Sequence, residues 1–197
     1  MNHFWNERYS VDEYVYGTAP NEYFKQQLEK LTTGKILMPG EGEGRNAVFA
    51  AKQGWEVFAF DSSPEGKRKA EKLAKKNKVT IDYQISDYNS VKFESETFDA
   101  IAFIYTHMNP DKRREYHRKL LSFLKPGGTL ILEGFTKKQI ANNSGGPRDI
   151  NMLFSYGELE NDFSPLQKIE IIETDIYFKE GIFHDGKASV IRIFGIK

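Results

Sequence analysis

The chain contains no cysteine, which excludes a disulfide framework, thiolate zinc ligation and a cysteine nucleophile. Histidine is scarce. His3, His107, His117 and His184 are too scattered for a local metal-binding motif, so no metal site is expected. No uninterrupted apolar run approaches the roughly 18 residues of a membrane span. The opening MNHFWNERYS is charged and lacks the apolar stretch of a secretory signal. A cytoplasmic protein without a membrane partner is therefore expected. Neither sign of charge is in excess, since 28 Lys and Arg face 28 Asp and Glu, which argues against holding nucleic-acid phosphates as the main task. Aromatic side chains are plentiful: 15 Phe, 10 Tyr and 2 Trp among 197 residues supply apolar surface for one full core.

Residues 36–134 alternate short apolar runs with amphipathic stretches, the pattern of β-α-β units on a parallel sheet. ILM (36–38), WEVFAF (55–60), VTIDYQI (79–85), DAIAFIY (99–105) and TLILE (129–133) read as five strands. Strict alternation puts Val79, Ile81, Tyr83 and Ile85 on one face of the third, which suits a sheet edge. Helices are expected from Arg45 to Gly54, from Pro64 with Ser63 as cap, from Pro110 with Asn109 as start signal to KPGG (125–128), and at Ser155 with Glu158 as a capping box. His117 falls in a charged helix and is expected at the surface, as is the basic face of the second of these helices. The runs QKIEIIETDIYF and KASVIRIFGI are separated only by KEGIFHDG, too short for a helical crossover, so the last two strands should be antiparallel neighbours.

ILMPGEGEGRN places Gly40, Gly42 and Gly44 between the first strand and its helix, where doubly wound folds bind ligands. A dinucleotide GxGxxG counted from Gly40 would need a third glycine where Arg45 stands. Glu41 and Glu43 would also repel a pyrophosphate, which disfavours a nicotinamide cofactor. A cationic, nucleotide-like ligand suits these carboxylates better, and S-adenosylmethionine carries both an ammonium and a sulfonium. Asp61 ends the second strand 21 positions after Gly40, where a carboxylate can accept from both hydroxyls of a ribose or serve only as a cap at the approach to the next helix. Asp87 follows the third strand in the same way and is read either as an acceptor for an adenine amino group or as a turn aspartate.

From the glycine loop through Asp61, Asp87 and LKPGGTLIL to the terminal hairpin, the chain resembles the class I S-adenosylmethionine-dependent methyltransferases. WNERYSVDEYVYGTAPNEYF, PGEGEGRNAVFAA and HDGKA are similar to the tellurite-resistance-type small-molecule methyltransferases. The resemblance implies a three-layer α/β/α Rossmann-like sandwich with a seven-stranded mixed sheet of order 3-2-1-4-5-7-6 and the last strand antiparallel. It implies one methyltransferase domain over 1–197: an N-terminal lid and helix (1–34), a cofactor-binding core (35–134), and a substrate-side loop, helix and hairpin (135–197).

Carried onto this chain, the resemblance makes Gly40, Glu41 and Gly42 the loop for the methionine moiety. Asp61, with Ser62 beside it, becomes the ribose site, Asp87 and Tyr88 the adenine edge, and Ile104 and Tyr105 the flank of the sulfonium. Arg8 and Tyr16 match lid positions, and a guanidinium at Arg8 can hold the cofactor carboxylate in a fork, with a surface ion pair as its other reading. Trp5 reads as an anchor for a terminal helix. His184 matches the hairpin histidine of the tellurite-type enzymes, but Lys187 stands where they carry arginine and Thr136 where they carry an acid, which argues against a tellurium or selenium oxyanion as acceptor.

The function implied is methyl transfer by in-line displacement to a small-molecule heteroatom, in a pocket bordered by Tyr105, His107, Arg148 and the hairpin of His184. His107 and His184 are the candidate bases, their other readings being a cap for the helix at Pro110 and a solvated hairpin residue; Arg148, read equally as a salt-bridge partner of Asp149 or Glu158, and Lys187 are the candidate substrate contacts. Two other readings stand beside it: a non-catalytic S-adenosylmethionine-binding or sensor protein, and a nucleic-acid methyltransferase, for which no NPPY-type motif is present. Nothing in the sequence speaks to oligomeric state.

Overall fold

A computed structural model describes residues 2–197. Seven strands, β1 (Lys35–Pro39), β2 (Glu56–Asp61), β3 (Asp82–Ile85), β4 (Phe98–Ile104), β5 (Leu124–Phe135), β6 (Lys168–Lys179) and β7 (Asp185–Ile196), form one sheet. Their order is 3-2-1-4-5-7-6, as the sequence pattern and resemblance led us to expect. β1 to β5 pair in parallel, and β7 lies antiparallel between β5 and β6. Among the described residues six α-helices flank the sheet: α1 (Asn2–Tyr9), α2 (Glu22–Leu28), α3 (Arg45–Lys52), α4 (Pro64–Lys76), α5 (Pro110–Ser122) and α6 (Tyr156–Asp162).

Local chemistry starts the helices where the sequence signals lie. Ser63 Oγ accepts from Gly66 N at 3.1 Å with Pro64 next, and Asn109 Oδ1 accepts from Asp111 N at 2.9 Å with Pro110 next. At α6 the Glu158 carboxylate accepts from the Ser155 amide at 3.0 Å and its hydroxyl at 2.7 Å.

Period-two alternation divides the core between the two faces of the sheet. Ile36, Met38, Ala100 and Ala102 face one way and meet Phe24, Leu28, Ala47 and Ala70 of α2, α3 and α4. Leu37, Ile101 and Phe103 face the other way and meet Leu120 and Leu121 of α5, Leu159 of α6 and Phe163 just after it. Burial of each large side chain contributes about 1.5–3 kcal/mol, so both layers are held by the same term.

Four local expectations are corrected. β3 spans only Asp82–Ile85, and Ile85, its last residue, is exposed, so the expected apolar face is buried at Tyr83 but not at the strand's end. The KPGG stretch continues β5 instead of merely ending α5, with an irregular register against Phe98–Ala100. His117 is fully buried: α6 brings Asp162 over α5, and that carboxylate accepts from His117 Nδ1 at 2.9 Å and Arg113 Nε at 2.7 Å. Lys69, on the basic helix α4, points inward.

Candidate active site

The carboxyl ends of β1, β2, β4 and β5 converge on one edge of the sheet. The turn after β1 needs backbone that a side chain would spoil. Gly42 has φ 62°, and a Cβ there would lie 2.6 Å from the Tyr9 hydroxyl. A side chain on Gly40 would collide with the Tyr88 hydroxyl and approach Thr106 Cγ2 to 3.0 Å. Tyr83 donates to Gly42 O at 2.6 Å and fixes the loop from β3.

Asp61, at the end of β2, is buried and receives the Gly42 amide on one oxygen at 3.2 Å and the Ser63 amide on the other at 2.8 Å. Burial raises its pKa against the pull of the amide bonds from Ser63, Gly42 and Ser62. These amide bonds still leave the carboxylate with acceptor capacity to spare. Asp87 instead sits exposed and caps its own turn, accepting from Ser90 N at 2.7 Å. Tyr88 packs edge-on against Phe60 at 5.7 Å, and Ile104 is buried at the end of β4. The Thr106 hydroxyl is buried without a partner among the described residues.

The two loop carboxylates do not face an open ligand site, as their charge suggested. Glu41 Oε1 accepts from the Asn46 and Ala47 amides at 3.0 and 2.7 Å, at the amino end of α3. Burial pushes its pKa up to about 7. Glu43 forms a buried ion pair with Lys69 at 2.6 Å and also accepts from the Val15 and Tyr16 amides, both at 3.3 Å. Lys69 Nζ further donates to Glu13 O. The inward lysine thus ties the segment after α1 to the glycine loop.

α1 rests on the amino end of α4, where Asn6 Oδ1 accepts from Ser63 Oγ and Glu65 N, both at 3.1 Å. Trp5 stacks on Tyr9 at 5.6 Å. Arg8 donates to the Tyr16 hydroxyl at 2.9 Å, and its guanidinium lies 4.2 Å from the Phe183 ring centroid. Arg8 and Tyr16 therefore meet each other and the hairpin between β6 and β7.

At the other side of the β4 end, Tyr105 holds a left-handed backbone (φ 55°) and donates to Glu133 Oε1 at 2.7 Å. His184 lies 4.7 Å from the Tyr105 ring and 4.6 Å from the Tyr16 ring, so the structure gathers these three. His107 is set behind them, stacked on Phe154 at 4.4 Å. Its Nδ1 meets Met152 O at 2.8 Å and its Nε2 accepts from Phe135 N at 3.1 Å, which leaves no lone pair for a substrate proton. Burial lowers its pKa to about 4. Arg148 points elsewhere, donating to Asn142 O and Asn143 Oδ1 on an exposed loop, and Lys187 pairs with Asp175 at 3.0 Å in solvent. Neither reaches the gathered residues.

Three residues of this edge carry no role in the sequence pattern. Glu133 ends an apolar central run, and that position is a usable signal; buried, it binds Asn21 Nδ2 at 2.6 Å and Arg192 Nε at 2.6 Å. Arg192 is also its cross-strand neighbour, so the ion pair matches the β5–β7 register. Glu180 lies within the short connector and accepts from Arg45 at 2.9 Å. Nothing local marks it except its place four residues before His184.

The family described as "Methyltransferase domain" matches residues 36–128. A ubiquinone biosynthesis O-methyltransferase of Methylocella silvestris is 33% identical over 117 residues, which cover 59% of this chain and 44% of that protein. The chain spans less than half the length of the curated relatives it matches. A structure from work on the conversion of a disulfide bond into a thioacetal group during echinomycin biosynthesis superposes with TM-score 0.78 at 16% identity, covering 100% of this chain and 92% of that one. TehB from Haemophilus influenzae gives 0.72 at 15% identity, covering 100% of this chain and 66% of that one. At such identities the likeness is one of fold, and the likeness to the family rests on the matched segment. Residues 36–128 are thus similar to a methyltransferase domain, and the sheet order around them is the one that the resemblance to class I, S-adenosylmethionine-dependent methyltransferases implies.

Proposed function

We propose that the chain binds S-adenosylmethionine and transfers its methyl group to a heteroatom of a small molecule. The observation that carries the reading is the buried Asp61 carboxylate beside the Gly40–Gly42 turn, with hydrogen-bonding capacity left over. The partnerless Thr106 hydroxyl next to Gly40 also suits a polar ligand. On this reading Gly40, Glu41 and Gly42 shape the methionine end, with Glu41 acting through its hold on α3. Asp61 and Ser62 take the ribose, Asp87 and Tyr88 border the adenine, and Ile104 and Tyr105 flank the sulfonium. Arg8 and Tyr16 close over it from residues 1–34, residues 35–134 hold the cofactor, and residues 135–197 supply the acceptor side.

When bound, S-adenosylmethionine supplies an electrophilic methyl carbon on a good leaving group. The protein's share is alignment, exclusion of water and placement of dipoles. Aromatic side chains of Tyr16, Tyr105 and Phe135 exclude water, and Glu133 holds the Tyr105 hydroxyl. On α4, Lys69 is consumed internally and Lys67 and Arg68 pair with Glu71 and Glu65 of the same helix, so these three basic side chains are engaged within the protein. No helix among the described residues is long and apolar enough to cross a membrane. Calorimetry with S-adenosylhomocysteine and with NADH tests the cofactor assignment, and tighter NADH binding overturns it. Tritiated-methyl transfer to a panel of thiols, phenols, amines and RNA tests the acceptor assignment, and turnover confined to RNA overturns that.

A further inference from the structure

The hairpin between β6 and β7 closes tightly, with the Glu180 amide donating to His184 O at 2.7 Å and the His184 amide to Gly181 O at 3.1 Å. Its two polar side chains are thereby brought together: His184 Nδ1 lies 3.2 Å from Glu180 Oε2. Glu180 is itself held by Arg45 at 2.9 Å, from the first turn of α3. These bonds outweigh the effect of burial and keep the Glu180 carboxyl below its usual range, so it is ionised in neutral solution and only accepts. Nδ1 must then carry the hydrogen, which leaves the lone pair on Nε2. That atom makes no hydrogen bond among the described residues, although the side chain is only 6% exposed. The backbone of Gly145 passes along this edge of the ring, where a Cβ would lie 3.3 Å from Nε2.

Four aromatic rings enclose the imidazole: Tyr16 at 4.6 Å, Tyr105 at 4.7 Å, Phe178 at 5.0 Å and Phe135 at 5.4 Å. Tyr16 and Tyr105 are only half-buried, so their outer faces offer flat surface for a planar acceptor beside the imidazole. Glu180 and Glu133 both border the enclosure, each already paired with a guanidinium, Arg45 and Arg192, so these pairs leave no net charge to hold an anionic acceptor. A neutral acceptor suits such a site, but it has a proton to lose.

We propose that Glu180 is the positioning residue for His184 as general base, and that the acceptor is a planar molecule bearing a phenol-type hydroxyl that is neutral when it binds. This inference rests on the methyltransferase reading above. In the step, the acceptor O–H bond breaks, its electron pair stays on oxygen as the nucleophile, and the proton passes to Nε2. The resulting imidazolium is stabilised through Nδ1–H by Glu180 and returns the proton to solvent after transfer. The methyl carbon gains the oxygen's pair, and the pair of the broken C–S bond leaves with sulfur.

Besides Glu180, the groups facing the imidazole are Arg45 of α3, Tyr16, Tyr105 at the end of β4, His107 after it, and Glu133 of β5. The first arm of the test is an NMR titration of His184 in the full chain with S-adenosylhomocysteine bound. Glu180→Gln removes the carboxylate that favours the imidazolium and should lower the His184 pKa, whereas Arg45→Met removes an opposing cation and should raise it. A His184 pKa unmoved by Glu180→Gln overturns the positioning role.

The second arm compares catechol, neutral in neutral buffer, with thiophenol, which ionises readily. For catechol, His184→Gln should cut kcat by about 10²-fold or more, the usual worth of a general base. Glu180→Gln should lower kcat with little change in KM, and thiophenol turnover should survive both changes. Equal losses for the two acceptors, turnover of thiophenol without catechol, or turnover of neither by a protein that binds S-adenosylhomocysteine each overturn the inference. Absence of S-adenosylhomocysteine binding overturns the methyltransferase reading instead.

Discussion

Replacing Lys69 by methionine would strand the Glu43 carboxylate in the interior. The two side chains are 2% and 3% exposed and their charged atoms lie 2.6 Å apart. At that separation and an effective dielectric of about 20, their attraction is about 6 kcal/mol. Desolvation costs several kcal/mol per ion, so the intact pair contributes little net stability, but removing one partner leaves the other's cost unopposed. Lys69→Met should therefore lose about 3–5 kcal/mol in urea unfolding. Part of the loss should be local, because Glu43 also anchors the Val15 and Tyr16 amides, and those amides should exchange faster with deuterium. Adding Glu43→Gln removes the stranded charge while keeping an acceptor for one of the two amides, and should recover about 2 kcal/mol. A Lys69→Met loss below about 1 kcal/mol, the range of an exposed pair, would refute the reasoning. A double variant no more stable than the single one would refute it as well.

Gly42→Ala should cost about 1–2 kcal/mol from the left-handed backbone alone, displace Tyr9, and weaken S-adenosylhomocysteine binding by calorimetry. Asp61→Ala, in a chain that still folds, should weaken the same ligand by about 1–3 kcal/mol, and an unchanged affinity would remove Asp61 from the ribose assignment. His107, His117 and His184 all have pKa values lowered by burial, His107 to about 4. As pH falls below about 6.5 the unfolded chain binds protons that the native rings refuse, so stability should drop with pH until about 4, where His107 titrates in the native state. Urea midpoints across that window check the slope, and His107→Phe should flatten part of it.

Features set by neighbours along the chain are legible in the sequence itself. Ser63-Pro64 and Asn109-Pro110 announce helix starts because a cap needs only the next few residues. The strand order is legible from the rhythm of β-α units, the short final connector and the family resemblance. Pairing between distant charges is what stays hidden. A lysine on a basic helix reads as solvated until the buried Glu43 is brought against it, and His117 reads as a surface residue until α6 delivers Asp162. The charge of Glu41 points to a ligand, whereas its carboxylate is spent on α3 amides. Asp87 illustrates two readings of one position, since it caps its turn wherever the adenine lies.

The polar contacts around Asn21 and Glu180 also bear on the order in which the molecule folds. Asn21 reaches Glu133 across 112 positions, and Arg45 reaches Glu180 across 135. Such contacts carry large loop-closure entropy and return nothing until β5, β7 and the terminal hairpin are in place. Residues 13–21 should consequently dock late, after the parallel core, and open first when the protein loosens. A ligand that bridges this segment and the glycine loop would replace part of that missing cohesion, so its binding should raise the resistance of residues 13–21 to proteolysis more than that of the core strands.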